Sequence, residues 1–163
     1  MATKSEYVQV RVTPQEKAEL KRRARDAGQD LSTFVMSRAL PPPGERFVAI
    51  VRTLSEEPSP AYALAELNDF LSQLAPVEFR SAVANIPLDA LSPFLLSYVA
   101  AMVEVAATTK QQPPPPWTAK VEGLDEPYFA TPLKGLRLHL MQSAPVPFKR
   151  RNLFVDATVG ARV

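Results

Sequence analysis

The chain has no cysteine, a single histidine, a single tryptophan and only five glycines among 163 residues. The missing thiols exclude disulfides, thiolate metal sites and cysteine nucleophiles. With His139 alone there is no histidine-based metal cluster or catalytic triad, and a lone imidazole in a Leu-rich stretch reads as structural. The glycines, at 28, 44, 123, 135 and 160, never approach the spacing of a phosphate-cradling loop. No apolar run of about 18 residues exists for a membrane span, and the opening MATKSEYVQVRV lacks the apolar stretch of a signal peptide, so a cytoplasmic location is expected. Carboxylate pairs such as Glu56-Glu57 have no evident partner. The expectation is a protein that binds rather than catalyses, with no metal and no cofactor.

Proline is abundant at 17 residues, clustered at Pro41 to Pro43 and at Pro113 to Pro116. These clusters divide the chain into a head (1–40), a hinge (41–44), a helical domain (45–112) and a Pro-, aromatic- and base-containing tail (113–163). The overall charge of +2 hides an asymmetry. By count of Lys/Arg against Asp/Glu, the head is basic at +3, residues 41–109 are acidic at −5, and residues 110–163 are basic at +4. Nucleic acid is therefore expected to meet an end of the chain rather than its middle.

In the head, residues 7–12 alternate strictly. Val8, Val10 and Val12 share one face of a short strand, and Tyr7, Gln9 and Arg11 share the other. Thr13-Pro14-Gln15-Glu16 then opens a helix with an N-cap, a proline at the first helical position and a glutamate placed for a capping box. Leu20, Ala24 and Ala27 form its apolar stripe, and Gly28 ends it. Asp30 caps a second helix that carries Leu31, Phe34, Val35 and Ala39 inward until the prolines stop it. One strand and two short helices bury too little to fold alone, since domains below about 40 residues usually need a staple or a partner. Antiparallel pairing of the strand with its own copy satisfies both open edges and brings the valine faces together. The expected dimer core is Val8, Val10, Val12, Leu20, Leu31, Phe34 and Val35. A two-stranded ribbon fits the major groove, where arginine reads guanine and glutamine reads adenine, so Tyr7, Gln9 and Arg11 are the expected base-contacting residues. Ser32 and Thr33, at the start of the second helix, are the expected phosphate contacts, with the Asp30 carboxylate competing for the same donors.

Residues 7–40 resemble the ribbon-helix-helix family of repressors and antitoxins, particularly antitoxins paired with acetyltransferase toxins. The resemblance rests on the Val-Gln-Val-Arg-Val strand, the Thr-Pro-Gln-Glu cap, the Ala-Gly turn and the Leu-Ser-Thr-Phe-Val opening of the second helix. It implies a homodimer that places Gln9 and Arg11 in the major groove of an operator. It further implies an antitoxin and autorepressor of a toxin-antitoxin pair, with a toxin protein as partner. A plasmid relaxosome accessory protein and a small-molecule-responsive repressor are the alternatives. The chain departs from the family after Leu40, where some 120 residues follow.

Those residues read as mainly helical. Phe47, Ile50, Val51 and Leu54 mark one helix, and Leu64, Leu67, Phe70, Leu71 and Leu74 a second. Val77 to Ala84 form a third, and Ser92-Pro93 opens a strongly apolar fourth that runs to about Thr108. The tail is expected to be irregular, with one helix near Pro132 to Gln142. Its Trp117, Tyr128, Phe129, Phe148, Arg150, Arg151 and Phe154 have the composition of an interface and are the candidate partner-binding residues. Lys149-Arg150-Arg151 between Phe148 and Phe154 also suits a second nucleic-acid surface. The stretch 143–155 resembles the C-terminal part of proteins that accompany nucleotidyltransferase-like toxins.

Overall fold

A computed structural model describes residues 9–56, 60–87, 89 and 91–156. Among them helix predominates, and the chain divides into two compact units, Met1–Pro41 and Pro42–Val163.

The first unit holds α1 (Pro14–Asp26) and α2 (Leu31–Ala39), packed on each other. Thr13 caps α1 as its sequence demands: its hydroxyl accepts from the Glu16 N–H, while the Glu16 carboxylate accepts from the Thr13 N–H at 2.8 Å. At the other end Gly28 takes φ 65°, the Gln29 N–H returns to the Ala24 carbonyl and the Gly28 N–H to that of Arg25. This reversal satisfies the last carbonyls of α1 and turns the chain into α2.

The expected strand 7–12 is not shown as a strand. Tyr7 and Val8 lie outside the described residues, and 9–12 carry no regular secondary structure. The physical reason is that a strand is defined by ladder bonds to a neighbour, and the described residues of the first unit supply none.

The second unit begins with α3 (Pro43–Glu56), so Pro43 and Gly44, expected in a hinge, already belong to a helix. It continues with α4 (Ala61–Gln73), α5 (Pro76–Ala82) and α6 (Pro93–Thr109). Ser92 caps α6 through the Leu95 N–H with Pro93 at the first position, the arrangement its sequence predicts. α3 packs against both α4 and α5, and Phe47 stacks on Phe70 at 6.2 Å between ring centres. α6 is the central helix: Val99, Ala100, Ala101, Met102, Val103, Ala106 and Ala107 are all buried.

The segment expected to be a tail completes this core. A 3-10 turn at Thr118–Lys120 and α8 (Val146–Lys149) pack on α6. β1 (Tyr128–Phe129) and β2 (Leu153–Phe154) pair in parallel, Tyr128 opposite Leu153. α7 (Arg137–Ser143) lies between them in sequence and follows a 3-10 turn at Lys134–Leu136. The chain here is irregular, as expected, yet Trp117, Phe148, Leu153 and Val155 belong to the same buried cluster as α3 to α6. Trp117 is anchored by its indole N–H, which donates to the Val83 carbonyl at 2.9 Å. Among the described residues no helix is long and apolar enough to cross a membrane.

Candidate nucleic-acid interface

Gln9, Val10, Arg11 and Val12 lead directly into the capped start of α1 and are all exposed. Val10 is 68% exposed and Val12 42%, so two of the three valines expected in a dimer core have no cover within one chain. The same unit has an open apolar groove of about 870 Å³ between α1 and α2, lined by Leu20, Ala27, Phe34, Val35 and Ala39 together with Arg23, Asp26 and Arg38. Phe34 is buried, with the Arg38 guanidinium over its ring, but Leu20, Leu31 and Val35 are only half-buried. Among the described residues of the head, only Phe34 and Ala24 are buried.

The outer face of α1 is cationic. Glu19 accepts from Arg22 and Arg23 at 2.8 and 2.7 Å, and these hydrogen bonds hold its carboxyl at about 2. Such exposed pairs are screened by water and salt and add little stability. Lys17, Lys21 and Arg25 enter no salt bridge among the described residues and leave this face positive.

At the start of α2 the Asp30 carboxylate accepts from the Thr33 N–H at 3.0 Å and from the Thr33 hydroxyl. Both Thr33 donors expected for a phosphate are therefore occupied, and Ser32 is the exposed hydroxyl at this turn. A local cap is always within reach of its own helix, whereas a phosphate must displace it.

The aromatic and basic residues proposed for partner binding separate by burial. Trp117, Phe148 and Arg151 are enclosed and present no surface for a partner or for nucleic acid. Phe129 and Phe154 stack on each other at 4.9 Å and are half-buried, while Tyr128 is 40% exposed and packs edge-on against Phe94. The Arg150 side chain is 61% exposed and donates to Glu104 at 2.6 Å. Arg151 spans the interior: it donates to both Glu104 oxygens, to the Thr118 carbonyl at 2.8 Å and to the Pro147 carbonyl at 3.0 Å. Burial raises the Glu104 pKa, but the hydrogen bonds and charge of Arg151, with Arg150 behind them, outweigh it and hold the carboxyl below its ordinary range. Arg151 is thus a buried lock on α6 and Arg150 an exposed arm to the same carboxylate, while Lys149 is half-buried and donates to the Gln142 carbonyl. Glu104 escaped the sequence reading, although its signal was available: it is the only charged residue in the seventeen residues of α6.

Residues 2–75 match a family model described as NikA-like, mobilization protein NikA. No curated protein and no solved structure matches the chain. The matched stretch contains all of the segment read as ribbon-helix-helix, is consistent with that reading, and runs on through α3 and α4 to Ala75. Among the functional expectations it favours the relaxosome accessory protein over the antitoxin, and nothing in it supports a toxin partner.

Proposed function

We propose that the chain is a DNA-binding accessory protein of a DNA-mobilization complex, and that it acts as a homodimer whose paired 7–12 segments enter the major groove. The observation that carries this reading is the match of residues 2–75 to a mobilization protein. The geometry of the head supports it. Exposed Val10 and Val12, and the open apolar groove of α1 and α2, call for a protein cover, and an antiparallel second copy supplies one while completing the ribbon. Gln9 and Arg11 then stand on the outward ribbon face, with Tyr7 one step before them, and the cations of α1 meet the backbone charge. The role is one of binding, not catalysis.

The test is a titration of the full chain against duplexes tiled across the transfer origin of the replicon that encodes it. Arg11→Ala is expected to weaken the specific site by roughly 1–3 kcal/mol per half-site and random duplex much less, and to lower transfer of a plasmid carrying that origin. Equal losses on specific and random DNA would remove the ribbon from base reading. Unchanged transfer together with derepression of an adjacent gene would move the protein to autorepression instead.

A further inference from the structure

The 42–163 unit contains an open cleft of about 570 Å³ that the DNA-binding reading does not use. Three stretches of chain line it. The second half of α6 contributes Glu104, Val105, Thr108 and Thr109, the run Pro114 to Pro116 is followed by Thr118 and Ala119, and Pro145 to Pro147 with Arg150 come from the two ends of α8. Its size is that of a site for a small organic molecule.

The chemistry of this lining limits what it can hold. Five prolines bring apolar rings and no N–H donor. The amides of 104–109 lie inside α6 and are spent on its own ladder, and the Thr118 and Arg150 N–H groups donate to the Pro115 and Val146 carbonyls. The hydroxyls of Thr108, Thr109 and Thr118 likewise donate to the main-chain carbonyls of Glu104, Val105 and Pro115. Among the side chains one strong donor remains. The Arg150 side chain is 61% exposed, and among the described residues its guanidinium makes a single hydrogen bond, to Glu104 Oε2 at 2.6 Å.

Charge points the same way. Glu104 and Arg150 are the charged residues of the lining. Glu104 is 7% exposed, and its carboxylate is already matched by the buried Arg151, which donates to both of its oxygens. Two guanidinium groups share one carboxylate, so the unmatched positive charge is the one that stands at the cleft.

We infer that this cleft binds a small aromatic monocarboxylate, with its anionic end on the Arg150 guanidinium and its ring among the prolines. A polyanion does not suit it: a nucleotide or a DNA backbone asks for several donors and brings further negative charge toward Glu104. An uncharged hydrophobe leaves the Arg150 charge unmatched. Every lining residue lies beyond the 2–75 stretch that carries the DNA-binding reading, so the two proposals stand or fall separately.

Titration of the full chain with cinnamate, followed by amide nitrogen–proton correlation spectra, tests it. Cinnamate is expected to shift the amides of 104–109, 118–119 and 146–150 saturably, and cinnamamide, the same ring without the charge, to bind at least about tenfold more weakly. Arg150→Gln should erase that preference for the acid, and Arg150→Lys should keep part of it. Ala119→Trp, at an exposed position of the lining, should fill the cleft and abolish binding of both with unchanged thermal unfolding. Equal affinity for acid and amide, or a preference that persists in Arg150→Gln, would overturn the inference, because the cleft would then hold any hydrophobe. So would the absence of saturable shifts at these amides, or shifts confined to the groove of α1 and α2.

Discussion

Glu104 and Arg151 show how two charges are tolerated in an apolar core. Every Glu104 oxygen and both terminal nitrogens of Arg151 are engaged, with the buried Arg151 Nε left without a partner, so the charges of the pair are compensated although both residues are buried. Glu104→Gln leaves the Arg151 charge enclosed without a counter-ion and is expected to cost about 3–5 kcal/mol of the stability of residues 42–163, measured by denaturant unfolding. The double change Glu104→Leu/Arg151→Leu should recover only part of this, because the Thr118 and Pro147 carbonyls lose their donor. The contribution also depends on pH. The native carboxyl titrates below its ordinary value of 4.5, so on acidification the unfolded chain takes up the proton first. The stabilisation is complete above that value and is lost as pH falls through the lower native pKa. Unfolding curves from about pH 7 to about pH 3 should therefore show wild type and Glu104→Gln converging at the acid end.

Helix ends carry the next level of specification. α1 and α6 close with the same pair of backbone bonds, but α1 places Gly28 in the left-handed position and α6 places Gln111 there, at φ 55°. A side chain at this position costs about 1–2 kcal/mol relative to the right-handed region, and a glycine avoids the cost. Gln111→Gly is expected to raise stability by roughly 0.5–1 kcal/mol after the added freedom of the unfolded chain is subtracted. Gly123 is constrained by contact rather than by dihedral angle. A Cβ there would meet the Arg151 Cα at 3.0 Å and the Arg150 carbonyl at 3.1 Å, both backbone atoms. Gly123→Ala should push the 121–124 segment off the Arg150–Arg151 backbone and cost about 1–3 kcal/mol, read as a lowered melting temperature.

For the whole molecule, the division at 41/42 separates a head that is under-buried from a unit with its own core. A 1–44 fragment is expected to sediment as a dimer and Val10→Asp to abolish it, because the substitution places a carboxylate between two valine faces. A folded monomeric fragment would refute this. Removal of 113–163 has the opposite consequence to the loss of an appendage: it strips Trp117, Phe148, Leu153 and Val155 from the core and leaves Glu104 uncompensated. The 1–112 chain should keep DNA binding by its head, yet lose amide protection in α3 to α6, as hydrogen exchange would show.

Local signals determined the helices. Apolar residues at three and four residue steps, Thr-Pro and Ser-Pro starts, and Gly28 after Ala27 act within one or two turns, so the α1 to α6 positions followed from the chain itself. The sparse burial of the head was equally legible, because two short helices with narrow apolar stripes enclose little core. What the sequence left open depends on contacts between distant residues. Lys149, Arg150 and Arg151 are consecutive and chemically alike, yet Arg151 is sealed and the Arg150 side chain is 61% exposed. That difference is set by a carboxylate 47 residues away on α6. Two-residue strands have no periodicity to detect, and the aromatics of the tail read the same whether they face a partner or a core. Only the packing of 113–156 on α6 decided between them, because burial is a property of neighbours brought together by the fold and not of composition.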